Sequence, residues 1–374
     1  MSTGKAGAAP TGRTRAVRLT QWGGPAVLTE LPRPVPKGEE VLIRVEAAGL
    51  CRSDLHVIDS PPGGLPYRIP FTLGHEVAGR VVARGPRATG PAVGERVVVY
   101  GPWGCGRCGR CASGAENYCD RRTALDQELT GTGAGLGRDG GMADTLLVPS
   151  GRLLVPVGDL DPVRAAPLTD AGLTAYHAVS AVGHSLTDGA GVVVLGIGGL
   201  GHLAVQILRA TTTAQVLAVD VRQEALALAD ACGAHFGTLP RPDTAQVLRA
   251  RTNGAGAAAV LDFVGSRSSL ELGVAVLRAG GELALVGSGG GELTVRKPGV
   301  LPPGTRISLP FWGTLPELER VVALAREGSV RVEVERFALS SALEAFERLR
   351  AGAVRGRAVV VPDRVLPIAP QTAS

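Results

Sequence analysis

The sequence predicts an α/β protein in which a mostly β region precedes a doubly wound parallel sheet. From about Arg15 to Pro167, short β-rich runs are broken by glycine and proline, which is typical of an irregular β domain. From about Ala171 to Phe311, strand-like and helix-like segments alternate, which predicts parallel strands joined by helices. A last segment again mixes short helical and β-rich stretches.

The individual elements follow from hydrophobic periodicity and from the residues that break it. In the first region we predict strands at Glu40–Ala47, Glu76–Arg84, Arg96–Tyr100 and Thr145–Val148. In the alternating region we predict, in chain order, strand Val192–Leu195, helix Leu200–Ala210, strand Val216–Asp220, helix Gln223–Ala231, helix Thr244–Ala250, strand Ala259–Val264, helix Ser268–Leu277 and strand Glu282–Gly287. The last segment predicts a helix near Pro316–Arg326, a β pair around Val330–Phe337, a helix near Ser341–Ala351 and a strand Arg357–Val361.

Composition places the chain among globular proteins. Its 374 residues allow two domains of ordinary size, and 45% hydrophobic with 20% charged residues argues against disorder. The apolar runs are far too short to span a bilayer, so no membrane partner is expected. No signal-peptide pattern opens the sequence, so we expect a cytoplasmic protein with flexible tails at residues 1–14 and Pro362–Ser374.

The formal net charge of +5 does not by itself indicate nucleic-acid binding. The basic residues are spread along the chain, and no cluster of them is interleaved with aromatic residues. We therefore expect no nucleic-acid partner and assign some of the arginines to cofactor phosphates.

Four of the six cysteines are crowded into Cys105-x2-Cys108-x2-Cys111-x7-Cys119. Four thiolates on a short loop can close a tetrahedral zinc shell with no open position, so this spacing predicts a structural zinc site. An iron–sulfur cluster and four unliganded thiols remain the alternatives.

A glycine motif, Gly196-Ile197-Gly198-Gly199-Leu200-Gly201, follows a predicted strand and opens a predicted helix. This context predicts a dinucleotide site in which the helix N-terminus faces the pyrophosphate. Asp220 ends the next strand, where a carboxylate can accept the ribose hydroxyls of NAD and repel the extra phosphate of NADP. Arg222 could instead favour that phosphate, stack on adenine or pair with Asp220. An ordinary βα turn beside a surface aspartate remains the alternative, and Val264 is added to the predicted cofactor contacts.

A dispersed third set combines Cys51, His75 and Asp170, with Ser53, His56 and Glu76 close by in sequence. A catalytic zinc needs three protein ligands and one open position, commonly drawn from cysteine, histidine and carboxylate. Each residue alone is weak evidence, because a lone cysteine or histidine is more often structural.

In the order and content of these motifs, the chain from about Arg15 to Val361 resembles the zinc-dependent medium-chain alcohol dehydrogenases. The stretches 100–105 and 167–174 are similar to those of bacterial NAD-dependent secondary alcohol dehydrogenases. The resemblance implies a GroES-like catalytic domain over residues 15–170, with a structural zinc lobe at about 101–120. It further implies a Rossmann NAD-binding domain over 171–311 and a segment, 312–374, that returns to the catalytic domain. Homodimers or homotetramers are usual in such a family.

The resemblance also implies roles for the site residues. Cys51, His75 and Asp170 would bind the catalytic zinc, although many relatives have cysteine at the position of Asp170. Glu76 would sit behind the metal, Arg52 could reach the pyrophosphate, and Ser53 and His56 would form the proton path. Tyr67 and Trp312 are candidates for the walls of the substrate pocket, or else core aromatics.

The function implied is reversible hydride transfer between an alcohol, expected to be secondary, and NAD, with two zinc ions per chain. Two alternatives stay open from the sequence. One is a ketone or aldehyde reductase dedicated to a specialised-metabolite pathway. The other, of a different class, is a non-catalytic cofactor-binding sensor or scaffold.

Overall fold

A computed structural model of the chain describes residues 12–121 and 132–364. Most of both predicted tails lies outside these ranges. Of the residues assigned to the tails, the structure describes 12–14 and 362–364. The first strand begins at Arg13, inside the predicted N-terminal tail.

The first region is mostly β, as the sequence predicts. Its elements are β1 Arg13–Leu19, β2 Val27–Pro32, β3 Val41–Gly49, α1 Arg52–Ile58, β4 Phe71–Thr72, β5 Glu76–Arg84, β6 Arg96–Val99, α2 Gly109–Ala112, β7 Gly133–Ala134, β8 Gly137–Arg138, β9 Thr145–Val148, β10 Leu154–Pro156 and α3 Pro162–Ala165. Strands β2-β1-β4 form a small sheet, and β10-β6-β5-β3 form one side of a larger one, with β9 also paired to β3. Neighbours among these strands run antiparallel, so the end of β3 lies beside the start of β5, where Gly49 pairs with Glu76.

The second region forms a six-stranded parallel sheet with helices. Its elements are α4 Ala171–Val182, β11 Gly191–Leu195, α5 Gly201–Thr211, β12 Gln215–Val219, α6 Gln223–Ala231, β13 Phe236–Thr238, α7 Thr244–Arg251, β14 Ala257–Asp262, α8 Arg267–Val276, β15 Leu277–Leu285 and β16 Arg306–Ser308. The strand order is β13-β12-β11-β14-β15-β16. From β11 the chain adds β12 and β13 on one side, and it then crosses back to add β14, β15 and β16 on the other side of β11. This reversal is the topological switch point at which open α/β sheets bind ligands. Strands β11 and β14 are buried along their whole length, which explains their continuous apolar sequences.

The last segment returns to the first region. It contains α9 Leu315–Arg326, β17 Val334–Ala338, α10 Ala342–Arg350 and β18 Arg357–Val361. Strand β18 pairs antiparallel with β3, where Val359 faces Gly49, and β17 lies parallel beside β18. The predicted β pair around Val330–Phe337 is wrong, because this stretch contributes one strand whose partner is β18.

Two apolar clusters hold these layers together. The larger joins the N-terminal sheet to one face of the parallel sheet, and the smaller covers the opposite face of the parallel sheet. A bilayer-spanning helix is not found anywhere in the described part of the chain.

Candidate active site and cofactor cleft

Cys51, His75 and Asp170 converge at the point where three chain segments meet. Cys51 follows β3 and precedes α1, His75 immediately precedes β5, and Asp170 immediately precedes α4. One ligand atom from each, a sulfur, a ring nitrogen and a carboxylate oxygen, lies within 4.8 Å of the other two. Cys51 and His75 are buried and Asp170 is half-buried, so the cluster faces a partly open space.

Asp54 fixes two of these three ligands. Its Oδ2 accepts a hydrogen bond of 2.9 Å from the backbone N–H of Cys51, and its Oδ1 lies 3.1 Å from Nδ1 of His75. A carboxylate can only accept, so the histidine ring donates to Asp54 from Nδ1, and Nε2 faces Asp170, where it could bind a metal ion. Sequence reasoning missed Asp54, although its place three residues after Cys51, at the start of a helix, is where a capping carboxylate is expected.

The spacing of the cluster fits a zinc ion. Nε2 of His75 lies 3.3 Å from Oδ2 of Asp170. Two ligands held about 2.0–2.2 Å from a tetrahedral zinc are themselves roughly 3.3–3.6 Å apart. The other oxygen of Asp170 accepts from the Thr174 hydroxyl at 2.8 Å, which orients the carboxylate. Among the described residues these three converge without a fourth, and three protein ligands with one open position are the donor set of a catalytic rather than a structural zinc site.

Glu76 and Arg357 form a buried ion pair behind this cluster. Nε of Arg357 donates to Oε2 of Glu76 at 3.0 Å, and the second guanidinium nitrogen contacts Oε1 of Glu76 and lies 3.4 Å from Oδ2 of Asp170. The backbone N–H of Ala171 also donates to Glu76, at 3.1 Å. Burial raises the pKa of Glu76 to about 7, although the neighbouring Arg357 opposes this rise.

Arg357 was also missed by sequence reasoning. It opens β18, whose other residues are apolar, and an inward-facing arginine in such a strand is the signal that could have identified it. Because β18 returns from the end of the chain to β3, only the tertiary fold brings this arginine to Glu76.

Helix α1 presents three predicted residues, Arg52, Ser53 and His56, on its exposed side. The Ser53 hydroxyl oxygen lies 3.5 Å from Sγ of Cys51, so it stands beside the first ligand. His56 is three residues further on and shares a face of the helix with Ser53. These residues therefore extend from the metal cluster toward solvent, as a proton path requires.

The four-cysteine lobe forms a second, closed cluster. Sγ atoms of Cys105, Cys108, Cys111 and Cys119 all lie within 4.8 Å of one another. The Cys105 and Cys111 sulfurs are 3.9 Å apart, close to the roughly 3.8 Å expected for two thiolates on a tetrahedral zinc. Burial raises the pKa of Cys105, but hydrogen bonds from the backbone N–H groups of Arg107 and Cys108 outweigh this effect, and the resulting pKa is lowered to about 6.

The glycine motif lies between β11 and α5, at the switch point of the parallel sheet. Gly196 has φ of 86°, a conformation that other residues rarely adopt. A Cβ on Gly201 would lie 1.9 Å from the Gly196 carbonyl oxygen, whereas a Cβ on Gly198 would meet nothing within 4 Å. The turn is therefore tight at its two ends and open at Gly198, where a pyrophosphate would approach. Leu200 is the N-cap of α5, Gly199 lies against the Arg357 guanidinium, and Val264 packs over Gly196.

Asp220 closes this cleft at the end of β12. Its Oδ2 accepts from the backbone N–H of Ile197 at 2.7 Å, and its Oδ1 accepts from the backbone N–H of Arg222 at 2.9 Å. The Arg222 side chain lies 3.4 Å from Oδ1 of Asp220, which is one of the three arrangements that the sequence left open.

The two predicted pocket aromatics have different surroundings. Trp312 is 5% exposed, donates from Nε1 to the Thr169 carbonyl at 2.8 Å, and meets His75 edge to face with ring centres 5.7 Å apart. It is a core aromatic that packs against His75. Tyr67 is half-buried, and its hydroxyl lies 3.3 Å from that of Thr132.

Comparison with known proteins agrees with this geometry. Residues 37–159 match the alcohol dehydrogenase GroES-like domain, and residues 199–327 match the zinc-binding dehydrogenase family. The chain is 36% identical to the NAD-dependent alcohol dehydrogenase of Sulfurisphaera tokodaii, covering 93% of this chain and all of that protein.

Solved structures give the same result. The alcohol dehydrogenase of Aeropyrum pernix superposes with a TM-score of 0.85 at 34% identity, over 93% of this chain and all of that one. The acetophenone reductase of Geotrichum candidum, solved in complex with NAD, has a TM-score of 0.80 at 30% identity, over 93% of this chain and 97% of that one.

Proposed function

This chain belongs to the zinc-binding alcohol dehydrogenase family, and we propose that its preferred reaction is the reversible oxidation of a secondary alcohol to a ketone. It is an oxidoreductase that uses zinc and NAD. The proposed preference rests on the similarity of residues 100–105 and 167–174 to secondary alcohol dehydrogenases, and on the ketone named for the Geotrichum relative.

The observation that carries the proposed site is the convergence of Cys51, His75 and Asp170 within 4.8 Å. We propose that these residues hold the catalytic zinc and that the four cysteines of the lobe hold a structural one. A zinc ion in an open three-ligand site supplies Lewis-acid stabilisation of negative charge on a substrate oxygen. Asp54 and Thr174 orient the ligands, and Glu76 supplies a buried negative charge behind them.

Other residues of the chain would transfer the substrate proton, bind NAD and line the substrate pocket. Ser53, beside Cys51, would accept the hydroxyl proton of the alcohol while giving up its own hydroxyl proton, which His56, on the same helix face, would pass to solvent. The N–H groups at the start of α5 and Arg52 bind the NAD pyrophosphate, while Asp220 accepts the ribose hydroxyls. Tyr67 contributes to the wall of the substrate pocket.

We assign residues 15–170 and 312–374 to the catalytic domain and 171–311 to the NAD-binding domain. The pairing of β18 with β3 supports this division. A cytoplasmic location is proposed because thiolate zinc ligands need a reducing compartment, and all six cysteines are free of disulfides.

We also propose that the protein is a homodimer or a homotetramer. Strand β16 lies at the edge of the parallel sheet, and Ile307, Leu309 and Phe311, in and just after it, are exposed by 38%, 70% and 43%. An unpaired edge beside exposed apolar side chains is a surface that a second copy can cover.

A panel of primary alcohols, secondary alcohols and the matching ketones, followed by NADH absorbance, tests the substrate proposal. We expect the highest kcat/KM with secondary alcohols and their ketones. Higher kcat/KM for every primary alcohol than for its secondary isomer would contradict it.

A further inference from the structure

A cavity of about 380 Å³ is lined by none of the residues of the four-cysteine cluster or of the Cys51, His75 and Asp170 cluster. Part of its wall is apolar, formed by Phe71, Trp103 and Leu147. Two arginines, Arg68 and Arg138, also line it. The volume lies within the range of sites for small organic molecules, and the mixture of apolar surface with a few charged groups is typical of them.

Within the part of the chain that the structure describes, both arginines lack an anionic partner. Neither Arg68 nor Arg138 forms an ion pair with any residue in 12–121 or 132–364, and the buried Nε of Arg138 has no hydrogen-bond partner there. Burial lowers the pKa of Arg138, and none of the described carboxylates raises it again. An unpaired, partly buried guanidinium is costly to the folded state, so a ligand that satisfies it gains free energy.

The cavity also contains two carboxylates, but both are already engaged. Oε2 of Glu40 accepts from the backbone N–H of Lys37 at 2.7 Å. Oδ1 of Asp139 accepts from the backbone N–H of Thr72 at 2.7 Å and pairs with Arg18 at 3.3 Å. Arg18 also donates to the carbonyl of Pro70, another lining residue, and thereby adds a third positive charge beside the cavity.

We propose that this cavity binds a small organic carboxylate. Its carboxylate is held by Arg138 and Arg68, since a guanidinium matches two carboxylate oxygens at once, and its apolar body packs on Phe71 and Trp103. This site is separate from the zinc centre, and ligand binding there can be measured without turnover.

Isothermal titration of the zinc-loaded, NAD-bound protein with phenylacetate, its neutral analogue phenylacetamide, and inorganic phosphate tests the proposal. We expect phenylacetate to bind and the other two to bind far more weakly, because one lacks the charge and the other the apolar body. Arg138→Gln should weaken the binding of phenylacetate by about 10- to 150-fold, as expected for the loss of a hydrogen bond to a charged group.

Two controls make the result decisive. Arg267→Gln removes an arginine whose side chain is 86% exposed, on the surface of α8, and should leave phenylacetate affinity unchanged. Zinc content and melting temperature show whether Arg138→Gln is folded, and Arg68→Gln provides a second test on an exposed residue.

Equal phenylacetate affinity in the parent and both cavity variants would overturn the proposal, since it would place the carboxylate elsewhere, for example at the zinc centre. Absence of phenylacetate binding to the parent, or equal binding of phenylacetamide, would overturn it as well.

Discussion

Oδ1 of Asp54 lies 3.1 Å from Nδ1 of His75, and both side chains are buried. The other oxygen of Asp54 holds the backbone of Cys51. The Asp54 carboxylate thus positions Cys51 and His75, two of the three proposed zinc ligands, without being a ligand itself.

Asp54→Asn should therefore weaken zinc binding at this site. The amide can present its NH2 group to the histidine and no longer enforces the Nδ1 proton. Loss of such a partner typically costs about 10- to 100-fold in metal affinity or activity. Competition with a chelator measures the affinity, and Asp59→Asn, an exposed change at the end of the same helix, is the control. Unchanged affinity in Asp54→Asn would rule out the orienting role.

Arg357→Met should destabilise the fold by leaving the buried Glu76 carboxyl without its ionic partner. Breaking a buried ion pair by removing one partner costs about 3–5 kcal/mol, whereas replacing both partners is much milder. Denaturant unfolding of Arg357→Met, Glu76→Gln and the double variant measures this. The double variant should recover much of the stability that Arg357→Met loses. Additive losses would mean that the pair does not act as a unit.

Because His202 is buried, we expect the free energy of unfolding to fall with decreasing pH. Burial lowers the pKa of His202 to about 4, and the nearby Arg357 charge lowers it further, although the hydrogen bond from Nδ1–H to the Gly198 carbonyl opposes this change. Nε2 accepts from the Glu333 N–H, as a neutral ring requires. The unfolded state takes up the proton near pH 6.5, above the folded pKa. This contribution to stability is therefore complete above pH 6.5 and is lost as the pH falls toward 4.

Between pH 7.5 and pH 5 this histidine should remove about 2 kcal/mol from the free energy of unfolding. His202→Gln keeps a donor and an acceptor but does not titrate, so its stability should fall less over the same interval. Urea unfolding of both proteins at the two pH values gives the difference. Parallel loss of stability in the two proteins would exclude His202 as the cause.

Asp220→Gly should shift cofactor use from NAD toward NADP. The carboxylate accepts from two backbone N–H groups and faces the dinucleotide turn, where its charge repels a 2′-phosphate. Because a hydrogen bond to a charged group is lost, kcat/KM for NAD should fall by about 10- to 150-fold. Use of NADP should improve, because Arg222 is then released from its ion pair. A parent enzyme that prefers NADP would show that Arg222 dominates the cleft.

The parts that the sequence predicted well are those whose chemistry is local. The spacing from Cys105 to Cys119 and the glycines from 196 to 201 each define their own geometry within a short loop. Strand β18 and helix α6 have the bounds that periodicity predicts.

The missed parts depend on contacts distant in sequence or on atypical periodicity. Helix α4 was not predicted, because it is apolar on most sides and so lacks the polar face that marks a surface helix. Strand β16 has three residues, and its exposed pattern resembles a loop. Arg357 reaches Glu76 only through the return of the chain end, and Trp312 is fixed by the carbonyl of Thr169, so neither role is visible from neighbouring residues.

We propose that the chain has two zinc sites of different kinds, an open catalytic one and a closed structural one. Zinc content, turnover and melting temperature, measured together on the parent, His75→Ala and Cys108→Ala, test it most directly. We expect two zinc ions per chain in the parent. His75→Ala should retain one zinc and a near-parental melting temperature without turnover, because only the open site is lost. Cys108→Ala should melt at a lower temperature, because a closed four-cysteine site contributes folding energy. A His75→Ala protein that keeps two zinc ions and a tenth or more of the parental turnover would contradict the account.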